Sequence, residues 1–312
     1  MVFCIRARRS TVVADDGVPL AVTEFGDRAA PLTVVFLHGH CLRTEVWSAL
    51  CHELHDAEST GDTVRIVCYD HRGHGSSGSA PAATYTIDQL ATDLDAVLRS
   101  VAPWGSVVLV GHSMGAMTAL AYLGAHPEVV GTRVVAVGLI SAVAAGLTES
   151  GLGRYLHHRA VAMLEHTARV APGMLVASRR IGRRACTRLT RSAGFGSRRA
   201  NPAMVALASA MVNDTSPVTV SGFLASLRTF DESATLSLLH DLPALVLFGS
   251  DDLMTPPSHS MEIAARLGRA ELVRLDGAGH SVVLERPAEV AAAVRRLVDR
   301  VYPRHWECAY AG

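Results

Sequence analysis

The sequence predicts an α/β fold with one mainly parallel sheet flanked by helices. Apolar runs of strand length alternate with segments of helical periodicity, which is typical of parallel strands joined by helices. The runs at 32–37, 64–69, 107–110, 134–140 and 244–248 are almost continuously apolar, as expected of strands buried on both faces. With 312 residues, 49% of them hydrophobic, the chain is long enough to form one large core.

The remaining elements fall between or beside these strands. Two short strands between Ser10 and Gly26 flank Asp15-Asp16-Gly17, a sequence typical of a hairpin turn. Helical spacing predicts helices at 47–54, 86–101, 258–267 and 287–301, and a last strand is predicted at 271–275. The prediction is therefore an eight-stranded, mostly parallel sheet, and ligands bind such sheets beyond the carboxyl ends of the strands.

The alternation of strands and helices is interrupted between residues 142 and 235. This stretch has helical composition, several glycine breaks and no convincing interior strand. We therefore predict a helical cap at 142–235 above the strand ends, inserted into a core formed by residues 1–141 and 236–312.

Charge and cysteine content narrow the classes of function. The formal net charge is zero, so nothing indicates a nucleic-acid partner. The six cysteines lack metal-like spacing, which predicts reduced thiols in a cytosol. We expect a cytoplasmic protein, because the N-terminal residues lack the apolar segment of a signal peptide and no apolar run reaches membrane-spanning length. No metal and no cofactor are expected, since no metal-ligand spacing or phosphate loop occurs.

A G-x-S-x-G motif lies where the strand at 107–110 passes into a helix. Such a nucleophile elbow exposes Ser113 at the tip of a tight turn, in a strained backbone conformation. Gly111 and Gly115 are needed there, because a Cβ at either position would strike the crossing strand and helix. The helix N-terminus beneath the serine favours developing negative charge.

Four further polar motifs follow other predicted strands. His38-Gly39 precedes Trp47 in the first, and Asp70-x-Arg72-Gly73 forms the second. The others are Gly249-x-x-Asp252-x-x-x-Pro256 and Gly279-His280. A serine hydroxyl needs a base, an orienter for that base and donors for an oxyanion, and these strand-end loops offer each of them.

With these five motifs in this order, the sequence resembles the α/β-hydrolase superfamily, in its capped, serine-nucleophile form. The resemblance implies that Ser113 attacks a carbonyl carbon, that His280 is the general base and that Asp252 orients the imidazole. Asp251 is the alternative acid, although the spacing to Pro256 favours Asp252. The resemblance also implies that the oxyanion hole consists of the backbone N–H groups of His40 and Met114.

Several residues near these loops are expected to support the site without taking part in chemistry. The resemblance implies that Asp70 and Arg72 form an ion pair and brace the loop behind the oxyanion turn. His38 is expected to brace the oxyanion loop beside Gly39, and His112 to pack or hydrogen-bond locally.

The resemblance implies a serine hydrolase that cleaves a carboxylic ester or thioester through an acyl-enzyme on Ser113. The partner would be a small-molecule acyl substrate. The same triad serves C–C bond hydrolysis, acyl transfer and cofactor-free peroxidation, and the scaffold also serves as a non-catalytic small-molecule receptor. No residue separates these alternatives, and the sequence leaves the oligomeric state open.

The predicted cap is strongly basic. Residues 151–200 contain eleven arginines and one acidic residue, Glu165. One interpretation is a solvated face whose arginine stems cover apolar surface. The other is contact with an anionic acyl substrate or peripheral contact with anionic lipid.

Overall fold

A single sheet of eight strands forms the centre of the computed structural model. The structure describes residues 7–55, 64–196 and 200–302, and it describes their side chains except at 55 and 176–186. The strands are β1 (Arg8–Val13), β2 (Pro19–Phe25), β3 (Leu32–Leu37), β4 (Val64–Tyr69), β5 (Ser106–His112), β6 (Val134–Ile140), β7 (Ala244–Gly249) and β8 (Ala270–Leu275). Their spatial order is β1-β2-β4-β3-β5-β6-β7-β8. All neighbouring pairs from β4 to β8 are parallel, whereas β2 runs antiparallel to both β1 and β4. The predicted eight-stranded, mostly parallel sheet is confirmed.

Helices cover both faces of this sheet. They are α1 (Ser48–His55), α2 (Ile87–Val101), α3 (Met114–Ala125), α4 (Arg159–Val170), α5 (Pro172–Gly194), α6 (Pro202–Asp214), α7 (Pro217–Thr229), α8 (Thr235–Leu238), α9 (Pro257–Arg266), α10 (Val282–Glu285) and α11 (Pro287–Val301). Short 3₁₀ segments at 44–47, 82–84, 127–129 and 151–157 complete the helical structure of the described ranges.

The sheet is buried because each interior strand supplies side chains to two apolar layers. In β3, where every residue is buried, Val34 and Phe36 join the layer that contains α1 and α11. Val35 and Leu37 join the opposite layer, which contains α2 and α3. This two-sided burial explains why the interior strands are continuously apolar in sequence.

The hairpin that opens the sheet has the predicted turn. Ala14 N–H donates to Val18 O at 2.9 Å, and Gly17 N–H donates to Ala14 O at 2.8 Å. Gly17 has a φ of +87°, in the left-handed region that favours glycine. The turn therefore follows from the glycine that ends Asp15-Asp16-Gly17.

Within the described part of residues 142–235, all regular elements are helical. Helix α4 packs against α5 and α7, and α5 also packs against α6. Helix α7 reaches the core, where the hydroxyl of Ser226 accepts a hydrogen bond from Ile87 N–H at 2.9 Å. The division into a cap at 142–235 and a core stays a prediction.

Membrane-spanning helices and thiols can be described for part of the chain only. No helix in the described ranges has both the length and the apolar character needed to cross a bilayer. Cys41, Cys51 and Cys68 are buried, and the sulfur atoms of Cys51 and Cys68 lie 3.9 Å apart. Cys4 and Cys308 lie outside the described residues, as does the side chain of Cys186. The cytoplasmic location stays a prediction.

Arg72 is fully buried between two carboxylates. Its Nε and Nη2 atoms each lie 2.7 Å from the carboxylate of Asp93 on α2. Its Nη1 and Nη2 atoms donate to the carboxylate of Asp16, in the hairpin turn, at 2.8 and 3.0 Å. These two bidentate pairs join the loop after β4 to α2 and to the hairpin.

The expected ion pair between Asp70 and Arg72 is wrong. The carboxylate of Asp70 instead accepts backbone N–H groups from Thr44 and Ser76, each at 2.8 Å. Asp70 therefore links the loop after β3 to the loop after β4, while Arg72 is neutralised by acids that are distant in sequence.

We predict that Arg72→Met destabilises the fold by about 3–5 kcal/mol, because it leaves the fully buried Asp93 carboxylate without a cation. Urea denaturation at pH 7 measures the change in the free energy of unfolding. The matched control is Arg99→Met, which removes solvent-exposed ion pairs with Asp15 and Asp95 and should cost less than about 1 kcal/mol. Equal losses for the two variants would contradict the prediction.

Candidate active site

The elbow between β5 and α3 reverses the chain within one residue. Strand β5 ends at His112 and α3 begins at Met114, so Ser113 alone makes the turn, with φ +53° and ψ −119°. A Cβ on Gly111 would collide with the backbone of Ala116, and one on Gly115 with the backbone of β3. The strained serine and the two glycines hold the hydroxyl above the carboxyl edge of the sheet.

Three side chains from three loops meet at this edge. Ser113 Oγ lies 2.9 Å from His280 Nε2, and His280 Nδ1 lies 2.9 Å from Asp252 Oδ2. Since a carboxylate only accepts, the proton belongs on Nδ1, and Nε2 is left to accept the serine proton. The structure thus brings together the three residues that the sequence analysis predicted, in the geometry of a nucleophile, its base and an orienter.

Asp252 is held as a carboxylate by its surroundings. Burial alone raises its pKa, but the adjacent His280 and the donors from Thr255 outweigh burial, so the pKa lies below its usual range. The backbone N–H groups of Met254 and Thr255 each donate to Oδ1 at 2.9 Å, and the Thr255 hydroxyl donates to Oδ2 at 2.9 Å. The alternative acid, Asp251, is exposed and receives the Ser250 hydroxyl instead.

His112 joins the elbow to a loop that is distant in sequence. Its Nε2–H donates to the backbone carbonyl of His280 at 2.8 Å, which links the elbow directly to the loop that carries His280. Burial lowers the pKa of His112 to about 3, so the ring is neutral. The hydrogen bond is local in space, but its partner lies on a loop that only the folded sheet brings near.

The predicted oxyanion residues lie on the same cavity as the serine. His40 and Met114 both line it, together with Ser113 and His280. Met114 is the first residue of α3, so its N–H has no partner within the helix. Among the described residues, no acceptor takes the N–H of His40 or of Met114. Gly39 permits this approach, because a Cβ there would lie 2.9 Å from His112 Nδ1.

Buried imidazoles support the loop that carries His40. His38 Nδ1–H donates to Gly39 O at 2.8 Å, and His38 Nε2 accepts the N–H of His71 at 3.0 Å. His74 Nε2 accepts the N–H of Cys41 at 3.1 Å. Burial lowers the pKa of His38 to about 4 and that of His74 to about 3. Both rings must stay neutral, because a protonated imidazole cannot accept a backbone N–H.

Glu285 joins the loop that carries His280 to the end of α5, and the sequence analysis did not identify it. Its Oε1 accepts the N–H of Gly279 at 2.8 Å, and its Oε2 accepts the N–H of Gly196 at 3.2 Å. The N–H of Ser281 also donates to Gly194 O at 2.6 Å. A single sequence carries no signal for these bonds, since both partners are backbone amides.

The cavity beside Ser113 is small and mainly apolar. Its volume is about 160 Å³, and one end is formed by Ser113 and His280. Its apolar walls come from α3, from the loop after β6, from the 151–157 segment and α7 of the predicted cap, and from the loop after β7: Met117, Val143, Leu147, Leu152, Leu156, Leu224, Leu227 and Met254. The polar groups therefore converge at one end of an otherwise hydrophobic space.

The described histidines at this edge of the sheet are not arranged as a metal site. Within the part of the chain that the structure describes, no three His, Cys, Asp or Glu side chains are arranged to hold a metal ion. The four imidazoles near the oxyanion loop make hydrogen bonds to backbone groups instead.

The architecture and the site together define a class of protein. A serine at a strand-to-helix elbow, above a mostly parallel sheet and beside a histidine and an acid from later loops, is the arrangement of α/β-hydrolases. The sequence also matches the family described as "alpha/beta hydrolase fold" over residues 33–287. The chain belongs to this family, and the resemblance inferred from the sequence is confirmed.

Three similar proteins show how far this relationship extends. The mouse "sn-1-specific diacylglycerol lipase ABHD11" is 28% identical over 272 residues, covering 86% of this chain and 81% of that protein. "Probable oxidoreductase EphD" of Mycobacterium tuberculosis is 34% identical over 113 residues; the match covers 36% of this chain and only 18% of that protein. A thermophilic esterase from Thermogutta terrifontis, solved with malate bound, has a TM-score of 0.73 at 24% identity, covering 94% of this chain and 99% of that one.

We predict that stability falls as the pH drops from about 6.5 towards 4, because the unfolded histidines take up protons over this range while buried His38 does not. A pKa near 4 for this one group corresponds to a loss on the order of 3 kcal/mol. Urea unfolding at pH 7.5, 6 and 5 measures the slope. His38→Asn, which keeps a donor for Gly39 O but cannot titrate, should give a shallower slope, and an unchanged slope would refute the assignment.

Proposed function

We propose that this protein is a serine hydrolase that cleaves a carboxylic ester or thioester through an acyl-enzyme on Ser113. The observation that carries the proposal is the 2.9 Å separation of Ser113 Oγ from His280 Nε2, with Asp252 bound to the other ring nitrogen. A serine hydroxyl is a poor nucleophile at neutral pH unless such a base adjoins it.

The reaction begins with proton transfer inside this constellation. Ser113 Oγ attacks the carbonyl carbon while His280 Nε2 takes the hydroxyl proton, and the ionised Asp252 stabilises the resulting imidazolium. The N–H groups of His40 and Met114 receive the oxyanion, each contributing on the order of 3 kcal/mol. His280 then protonates the leaving alcohol or thiol, and water, activated by the same imidazole, releases the acid from Ser113.

The cavity supports a small acyl group as the part of the substrate beside the serine. Its volume of about 160 Å³ is below the roughly 300–1,000 Å³ of pockets that hold drug-sized ligands. Its walls are mainly aliphatic, so an acyl chain of a few carbons would be desolvated there. The similarity to a diacylglycerol lipase, which covers most of both chains, supports an ester as the scissile bond.

Ser113→Ala should lower kcat/KM for p-nitrophenyl butyrate by at least about 10³-fold, because the nucleophile is lost while the fold is kept. It should also abolish labelling by a fluorophosphonate probe, with mass spectrometry locating the label on Ser113 in the unmodified chain. The control Ser100→Ala changes an exposed serine at the end of α2 and should leave both readouts unchanged.

Two results would contradict the proposal. One is turnover and labelling that persist in Ser113→Ala. The other is a folded native chain that shows neither labelling nor ester hydrolysis, which would favour the non-catalytic receptor. If the probe labels Ser113 but esters are not turned over, C–C hydrolysis, acyl transfer or peroxidation on the same residues becomes the better description.

Glu285→Gln should lower kcat about tenfold and leave KM within about twofold. The amide retains one oxygen but opposes its NH₂ group to the second backbone N–H, which loosens the loop that orients His280. Steady-state kinetics with the same ester separate kcat from KM. Glu289→Gln is the control, since that exposed side chain only reaches Arg286 at 3.9 Å. Equal kinetics in both variants would exclude a positioning role for Glu285.

A further inference from the structure

Helix α4 presents apolar side chains to solvent on the side that faces away from its packing partners. Ala168 is buried where α4 meets α5 and α7. On the opposite side, Arg159, Met163, His166 and Val170 recur at spacings of four, three and four residues, so they form one line along the helix. We call these four residues the cap stripe. Met163 is 70% exposed and Val170 is 65% exposed, so most of each apolar side chain is open to water.

Apolar exposure continues beyond both ends of the cap stripe. Met174, in the first turn of α5, is 70% exposed. Tyr155 lies before α4 in the 151–157 segment, is 54% exposed, and has the Arg154 guanidinium 5.2 Å from its ring centroid. Aliphatic side chains next to an amphipathic aromatic ring are the composition of helices that lie in a membrane interface.

The segment of the sequence that contains the cap stripe is strongly basic. Residues 151–200 contain eleven arginines and a single acid, in a chain whose net charge is zero. That acid, Glu165, faces inward and pairs with Arg228 of α7 at 2.9 Å. In the described part of the chain, neither Arg159 nor Arg169 has an acidic partner. The outward face of α4 therefore combines exposed aliphatic side chains with arginines that no carboxylate neutralises.

We propose that the cap stripe docks on the surface of an anionic lipid bilayer. Guanidinium groups would bind lipid phosphates. Each basic residue near such a surface would raise the binding affinity by up to about tenfold. Met163 and Val170 would enter the boundary between headgroups and acyl chains, which removes their exposed surface from water. Exposed aliphatic side chains beside unpaired arginines suit a lipid interface better than the aromatic-rich surface typical of protein partners.

The test measures binding of the full-length Ser113→Ala chain to sucrose-loaded vesicles by sedimentation. Vesicles of phosphatidylcholine alone are compared with vesicles containing 30% phosphatidylglycerol, each at 50 and 500 mM NaCl. We expect binding to the anionic vesicles only, reduced at least tenfold by the higher salt. Because the assay requires no catalysis, its outcome is independent of whether the proposed ester hydrolysis is correct.

Variants separate the apolar contribution from the charge. Met163→Ser/Val170→Ser should weaken binding about tenfold, and Arg159→Gln/Arg169→Gln should weaken it by a similar factor. The control is Trp104→Ser. Trp104 is 79% exposed and precedes β5, so it lies at the amino ends of the parallel strands, away from the carboxyl ends that carry the site. This variant should bind like the parent. Thermal unfolding of each variant checks that the fold is kept.

Three results would overturn the inference. These are no binding to anionic vesicles, equal binding to neutral and anionic vesicles, or unchanged binding in both the Met163→Ser/Val170→Ser and the Arg159→Gln/Arg169→Gln variants. Recruitment of an acidic protein without any lipid binding would assign the cap stripe to a protein partner instead.

Discussion

The one-residue reversal at Ser113 is the constraint on which the rest of the site depends. It requires a backbone conformation that L-residues rarely adopt, and it brings β3, β5 and α3 so close that Gly111 and Gly115 have no room for a side chain. The local strain is sustained because β5 lies in the middle of the sheet between β3 and β6. Central burial of the strand thus keeps the hydroxyl in an exposed position that an isolated turn would not hold.

Around that reversal, the loops are held mainly by side chains that bind backbone groups. His38 and His74 each accept a backbone N–H, Asp70 and Glu285 each accept two, and His112 donates to the backbone carbonyl of His280. Each imidazole acts through its neutral form, and each carboxylate through its lone pairs. The positions of the reacting groups therefore depend on the protonation states of residues that touch no substrate.

The sequence was informative where local pattern decides structure. The bounds of β3, β4 and β6 match the predicted runs, because strands buried on both faces must be continuously apolar. The sequence was misleading where a side chain binds partners that are distant along the chain. Arg72 pairs with acids 21 and 56 residues away and not with nearby Asp70. Glu285 left no recognisable signal, since its partners are amides that every residue possesses. Pattern thus located the strand ends, and only the folded chain showed which loops are tied together.

The contact between the end of α5 and the loop that carries His280 constrains how such proteins can diversify. Backbone meets backbone at Gly196 and Gly279, with no space for a Cβ on either side. A different sequence over residues 142–235 would bring a different backbone segment to this junction. Such a replacement would therefore change the backbone contact that supports the loop carrying His280. Changes in substrate binding and changes in reaction rate would then be inherited together.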